Sequence, residues 1–329
     1  MTKNVKIAGT GYYVPEKIVT NNDLASYLDT SDEWIQSKIG IKERRIADED
    51  MLSSDLGAKA AKMAMKNAGV KAEEIDMIVL ATNMPDHISP ACAVMVQEKI
   101  QASNAFAFDI RVGGCPGILY ALSVGSNFIT GGTCNTVLVI SADMNSRVVD
   151  WQDRLTAVIL GDGASAMVLK STDNSDGKLI TTQLFTNPEG YYYAYVPGGG
   201  MAEPLTAKRL KEGRQFFKMD GREIFKYATT VFPESVTKIV NESNLTLDEI
   251  DYVISHQANL NIIKSSMEKL NLPMEKTYCN IDRYANTGGS SVGIAFAEAV
   301  EKGIIKKGNK VVLVAFGAGF SWATALLEL

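Results

Sequence analysis

Hydrophobic positions along the chain follow two periods that alternate. Val5–Ala8, 75–82, 136–141, Leu179–Gln183, 250–255 and 310–316 are apolar runs rich in β-branched residues, and they read as strands. Their apolar character is continuous rather than every second residue, which is the pattern of strands buried on both faces. Between them, 54–68, 222–241 and the stretches opened by Gly-rich turns at 113–128 and 288–301 carry apolar residues at helical spacing. Strands alternating with helices predict an α/β fold with mixed, mostly parallel sheets covered by helices.

The series is written twice. EEIDMIVLATN (73–83) recurs as DEIDYVISHQAN (248–259), which sets Asp76 against Asp251. The same offset carries Gly113-Gly114-Cys115 onto Gly288-Gly289-Ser290, and Thr136–Val139 onto Val311–Val314. Three coincidences at one offset predict a duplicated unit. The halves are 1–174 and 175–329, parted in the turn-rich STDNSDG (171–177), and the site is expected where they meet.

Composition narrows the function classes. A length of 329 residues is that of about two domains. With 46% hydrophobic and 22% charged residues the chain is neither disordered nor fibrous. Lys and Arg number 33 against 38 Asp and Glu, a net charge of −5, which speaks against a broad nucleic-acid face and leaves room for a local cationic pocket. The cysteines are at 92, 115, 134 and 279 and the histidines at 87 and 256, with no C-x-x-C or H-x-x-x-H, so a zinc site is not expected. No apolar leader opens the sequence, and the apolar stretch near 311–320 falls short of a bilayer span, so the expectation is a cytoplasmic chain with reduced thiols.

Two glycine motifs are set aside. Gly9-Thr10-Gly11 follows a strand, but Val14-Pro15 occupies the place of the third glycine of a dinucleotide loop and disfavours the helix needed there. Gly161–Ala166 fits G-x-G-x-x-A yet runs into the strand-like AMVLK. Tyr191–Tyr193, near Pro197–Gly200, read as a packed loop rather than a base-stacking platform, since no basic stripe accompanies them.

The segment 106–130 carries the sharpest chemical signal. Phe106–Ile110 reads as a strand and Pro116–Phe128 as an apolar helix, with Cys115 at the join. Gly113 and Gly114 permit a sharp turn, and Pro116 suits a first helical turn. A sulfur at a helix N-terminus is expected to have a lowered pKa and backbone N–H groups for an oxyanion. The alternative is a buried, inert cysteine under a turn. His256 ends a predicted strand, where α/β proteins place ligands, and Asn286 opens the corresponding turn of the second unit. Each alone reads equally as structural. Together, a Cys, a His and an Asn could share a pocket suited to thioester chemistry.

Ordered blocks along nearly the whole chain then resemble one family. TSDEWI (30–35), GIKERRIA (40–47), DWQDR (150–154), GDGASA (161–166), KMDGREIF (218–225), SHQAN (255–259), YANTGGSS (284–291) and FGAGFSW (316–322) resemble the β-ketoacyl-acyl carrier protein synthase III family of the thiolase superfamily. That resemblance implies the duplicated five-layered α-β-α-β-α thiolase fold and a Cys115–His256–Asn286 site. It implies that Cys115 takes an acyl group from acyl-coenzyme A, and that His256 and Asn286 stabilise the enolate formed as malonyl-acyl carrier protein loses carbon dioxide. The backbone N–H groups of Cys115 and Ala318 would form the oxyanion hole of the acyl step, with no metal or redox cofactor. Trp34 and Arg154 would flank the adenine of coenzyme A, Lys38 would lie near phosphate, and Phe225 and Asn259 would line the pantetheine tunnel. Without the resemblance, Trp34 reads equally as a core anchor, Arg154 as a surface ion pair and His87 as an ordinary loop histidine. The family's homodimer would bring the His87 segment to the partner's acyl pocket.

Four features depart from the family pattern. Val112-Gly113-Gly114 and Pro116 surround the cysteine, Asn261 replaces an arginine, Lys38 replaces a frequent arginine, and Ala318 stands where glycine is usual. They leave two further readings open: transfer of the acyl group to a β-keto, alcohol or amine acceptor, and a non-catalytic partner subunit. Retention of Cys115, His256 and Asn286 argues against the second.

Overall fold

The computed structural model describes residues 3–112, 114–173 and 177–329. Gly113 of the elbow and positions 174–176, where the sequence places the boundary of the halves, lie outside the described residues.

A five-stranded and a four-stranded sheet carry the architecture. The first holds β1 (Asn4–Tyr13), β2 (Met77–Ala81), β3 (Phe106–Ile110), β4 (Thr136–Met144) and β5 (Asp162–Thr172). The second holds β6 (Leu179–Thr186), β7 (Tyr252–Ser255), β8 (Lys310–Gly317) and β9 (Ser321–Glu328). Their spatial orders are β1-β5-β4-β2-β3 and β6-β9-β8-β7. Read from β1 and from β6, both run antiparallel, antiparallel, parallel, so the duplication seen in the sequence is repeated in topology.

Five layers follow from which strand face meets which helix. Along β4, Val137 and Val139 face the central layer of α4 (Gly117–Thr130) and α7 (Ser291–Glu301), while Leu138 and Ile140 face α2 (Ser53–Ala68) and α3 (Cys92–Ile100). Along β8, Val311 and Leu313 face that same central layer, and Val312 and Val314 face α5 (Gly221–Glu242) and α6 (Leu260–Lys269). Both faces are dry, which is why these strands are apolar without alternation. A short helix α1 (Asp32–Lys38) packs its Ile35 into a satellite core with Leu24, Val158 and Ile281.

The expectation of mostly parallel sheets is corrected. Three of the pairings in the two sheets are parallel (β2–β3, β2–β4, β7–β8) and four antiparallel. Continuous apolar character reports burial on both faces and is silent on direction. β8 returns directly into β9 through Ala318–Phe320, and so short a return forces antiparallel pairing. The repeat offset also slips by one residue between strands. Met77 pairs with Val137 whereas Tyr252 pairs with Val311, and the Asp76 amide donates to the Thr136 carbonyl at 3.0 Å whereas that of Asp251 donates to the Lys310 carbonyl at 2.9 Å. Lys310, not Val311, is thus the counterpart of Thr136.

The set-aside motifs prove structural. Gly9 and Gly11 lie within β1 under α2, where a Cβ would come within 2.4 Å of the Ala68 nitrogen and 2.3 Å of that of Ala64. Gly163–Ala166 lie inside β5. Tyr193 packs beneath Gly190, but Tyr191 and Tyr192 are exposed, so only part of that cluster is a packed loop.

Candidate active site

β3 ends at Ile110 and α4 begins at Gly117. Between them Gly114 adopts φ +76°, a left-handed conformation that favours glycine, and its carbonyl accepts the Gly117 amide at 2.9 Å. Pro116 stands at the N-cap position, one residue before the first helical turn. Gly117 presses on β2, where a Cβ would meet that of Ala81 at 2.9 Å. The turn thus places Cys115 at the junction of strand and helix.

The lowered pKa expected for Cys115 is not found. The residue keeps some exposed surface, but burial of its sulfur pushes the thiol up to about 12, and the Asp143 carboxylate adds to the rise. Removing the sulfur from water outweighs a helix terminus that begins two residues further on. At neutral pH Cys115 is therefore a thiol.

His256 continues β7, its amide donating to Val314 at 2.8 Å. The residue is 2% exposed, and burial pushes the imidazole down to about 3, so the ring is neutral. Its Nδ1 pairs with the Ser291 hydroxyl, and the ring stands edge-on to Phe316 with centroids 5.3 Å apart. Ser291 Oγ also accepts the Gln257 amide at 3.2 Å and keeps a hydrogen that it can donate to Nδ1. When Nδ1 accepts that hydrogen, the imidazole proton sits on Nε2.

Asn286 follows Ala285, a non-glycine residue at φ +57°. Its backbone bridges Ile159 and Gly161 of the other half, donating to Ile159 and accepting from Gly161, each at 2.9 Å. Its Oδ1 accepts the Gly288 amide at 2.9 Å, which makes the NH2 end the one left to donate to a ligand. Ser291, the partner of His256, lies on this same segment. A Cβ on Gly289 would come within 2.8 Å of the Gly114 carbonyl and 2.6 Å of Ser141 Oγ, so the Asn286 loop lies directly against the cysteine elbow. One region therefore unites Cys115 from the first half with His256 and Asn286 from the second. Ala318 sits in the turn between β8 and β9.

Farther out, Trp34 on α1 and Arg154 come together, the guanidinium 5.0 Å from the indole. At that distance no ring fits between them. Arg154 is also held by the Asp29 carbonyl at 2.8 Å. Lys38 is exposed in the last turn of α1, and the carbonyls at that end are capped from α6. Asn261 donates to Ser37 and Lys38 at 3.2 and 2.9 Å, and Asn259 to Lys38 at 3.2 Å. The residue replacing the expected arginine thus joins two helices. Asn259 Oδ1 also accepts the Asn261 amide, which commits that side chain to the start of α6. Phe225 is 39% exposed on α5, and His87 is exposed beside Ile88.

Ser291 and Asp143 were not singled out from the sequence. For Ser291 there was no local signal, because its partner lies 35 residues away. Asp143 did leave one: it is the charged residue in the otherwise apolar and neutral run TVLVISADM. Among the described residues, no group of three or more His, Cys, Asp or Glu could hold a metal ion, and no helix is long and apolar enough to cross a membrane.

Comparison with known proteins places this geometry in context. Residues 108–188 match the family model of 3-oxoacyl-(acyl-carrier-protein) synthase III, and residues 240–329 match the model of its C-terminal part. The β-ketoacyl-(acyl-carrier-protein) synthase III of Clostridium acetobutylicum is 42% identical over 99% of this chain and 98% of its own. The crystal structure of 3-oxoacyl-(acyl-carrier-protein) synthase III from Aquifex aeolicus superposes with a TM-score of 0.91 at 37% identity, covering 99% of this chain and 100% of that one. A priming β-ketosynthase of a polyketide biosynthetic pathway gives a TM-score of 0.92 at 27% identity, over 99% of this chain and 97% of that one.

Proposed function

The chain belongs to the 3-oxoacyl-(acyl-carrier-protein) synthase III family, and from that membership and the site just described we propose that it joins an acyl group to malonyl-acyl carrier protein by decarboxylative Claisen condensation. Cys115 Sγ attacks the thioester carbonyl of an acyl-coenzyme A. The carbon–sulfur bond to coenzyme A breaks, and the cysteine proton leaves with it as the free thiol. The amides of Cys115 and Ala318 receive the oxyanion of this step. Malonyl-acyl carrier protein then loses carbon dioxide, and its thioester oxygen takes hydrogen bonds from His256 Nε2 and the Asn286 NH2. The enolate carbon attacks the acyl-cysteine, and Cys115 departs as a thiolate that water reprotonates. The product is a β-ketoacyl thioester for fatty acid, specialised lipid or polyketide synthesis. No step draws on a metal or redox cofactor.

One observation carries the division of labour. Ser291 and Gly288 orient two neutral donors, the imidazole and the amide, while the sulfur belongs to a separate loop pressed against theirs. Neutral donors stabilise a developing enolate without needing to take its charge as a proton.

For acyl-coenzyme A, the reading assigns the adenine to Trp34 and Arg154, phosphate to Lys38, and the pantetheine arm to Phe225 and Asn259. The adenine enters only if Arg154 swings off the indole. A second copy of the chain covers the β3 edge, where Phe106 is 45% exposed, and the His87–Ile88 segment, where Ile88 is 97% exposed; His87 then borders the partner's acyl pocket.

Intact-protein mass spectrometry with a panel of acyl-coenzyme A thioesters tests the first step. The expected result is one acyl adduct, absent in Cys115→Ala. Adding malonyl-acyl carrier protein to the acylated protein should release carbon dioxide and discharge the adduct. Discharge by an alcohol, amine or β-keto acceptor without carbon dioxide would replace condensation by simple transfer.

A further inference from the structure

Asp143 closes β4 with a carboxylate that is only 3% exposed. A buried carboxylate survives where hydrogen bonds replace its water, and three donors converge on this one. Oδ2 accepts the Gly289 amide at 2.9 Å, and Oδ1 accepts the Asn83 amide at 3.1 Å and the Thr82 hydroxyl at 3.3 Å. The first donor belongs to the Asn286 loop of the second half, and the other two follow β2 in the first.

The glycines around it leave no space for a different arrangement. A Cβ on Gly288 would stand 2.8 Å from Asp143 Oδ2, and one on Gly114 would stand 3.2 Å from Asn83 Nδ2. Gly289 in turn packs on the Gly114 carbonyl, next to Cys115. One carboxylate therefore clamps the segments that lie on either side of the elbow.

We propose that Asp143 is a positioning residue that locks the cysteine elbow to the Asn286 loop and so fixes the nucleophile relative to the donors that receive the enolate. The inference rests on the roles given above to Cys115, His256 and Asn286. Asp143 itself touches no reacting atom. Burial raises the pKa of Asp143 itself against the three hydrogen bonds that lower it, and burial is also the larger cause of the raised Cys115 thiol, to which the Asp143 carboxylate adds. Removing the charge thus frees the nucleophile, while removing its bonds loosens the donors. The two half-reactions respond in opposite directions, whereas general loosening of the fold would impair both.

The test uses the full chain carrying Asp143→Asn. Iodoacetamide labelling of Cys115, followed by intact mass at a single neutral pH, should speed up about tenfold, the effect of one pKa unit. Carbon dioxide release from malonyl-acyl carrier protein should slow about tenfold. If labelling stays the same or slows, or if release is unchanged, the proposal is overturned. Thr82→Val removes one donor and keeps the charge; it should slow release about threefold and leave labelling alone. That variant decides the matter should Asp143→Asn fail to fold, unchanged release again overturning it. A wild-type protein that acquires an acyl group but releases no carbon dioxide would sink the condensation reading instead, and the labelling arm would still judge Asp143.

Discussion

The two loops that meet at the site are built differently. Among the described residues, the elbow of Cys115 is held by the Gly117 amide on Gly114 and the Leu119 and Tyr120 amides on Pro116, and its sulfur is left to burial and a nearby carboxylate. The loop of Asn286 and Ser291 is tied at nearly every position: to Ile159 and Gly161, to His256, to Gln257 and to Asp143. Behind it, Glu298 on α7 binds Arg283 at 2.8 and 2.9 Å and Asn280 at 2.9 Å, which anchors the residues leading into Ala285. Donors to an oxyanion act through fixed geometry, so rigidity serves them. In the proposed reaction the sulfur moves from thiol to thioester and back, so it tolerates a simpler frame.

The contrast can be broken at several points. His256→Ala or Asn286→Ala should reduce carbon dioxide release by about a hundredfold or more while acyl-adduct formation falls far less, as followed by trapped carbon dioxide and intact mass. Equal losses in both assays would mean that the loops do not divide the work.

The state of the sulfur is open to a pH series. A thiol raised to about 12 gains thiolate with every unit of rising pH below that value. Iodoacetamide labelling of the free protein should therefore climb about tenfold per pH unit between roughly pH 7 and 9. A plateau in that range would show that the helix terminus outweighs burial.

A finer cut separates the imidazole from its support. Ser291→Ala removes the hydroxyl that pairs with His256 Nδ1, and should slow decarboxylation about tenfold while sparing acylation. The smallest effect is expected away from both loops. Asn261→Ala withdraws two bonds from the end of α1, the helix bearing Trp34, and should raise the KM for acyl-coenzyme A about threefold with kcat unchanged.

Much of the fold was legible because burial leaves a mark on residue type. The apolar runs at 75–82, 136–141, 250–255 and 310–316 became β2, β4, β7 and β8, and Phe106–Ile110 became β3 to the residue. Strand direction was not legible, since a run dry on both faces looks the same in parallel and antiparallel neighbours. Cys115, His256 and Asn286 could be picked out because each ends a strand or opens a helix, Cys115 and Asn286 beside glycines. Ser291 could not, and the protonation of Cys115 was misjudged for a related reason. Local sequence displays the helix terminus, whereas the burial and the carboxylate that oppose it arrive from β4 and from the other half of the chain.

By itself, then, the sequence determined the duplicated α/β plan and the chemical identities at its junction, since periodicity and residue type act over a few neighbours. Only the tertiary structure decided that Ser291 pairs with His256, that Asp143 ties the Asn286 loop to the segment after β2, that Arg154 lies on Trp34, and that Asn261 caps α1 in place of an arginine. Hydrogen bonding and desolvation act through space over a few ångströms, and those ångströms separate residues that the chain keeps tens or hundreds of positions apart.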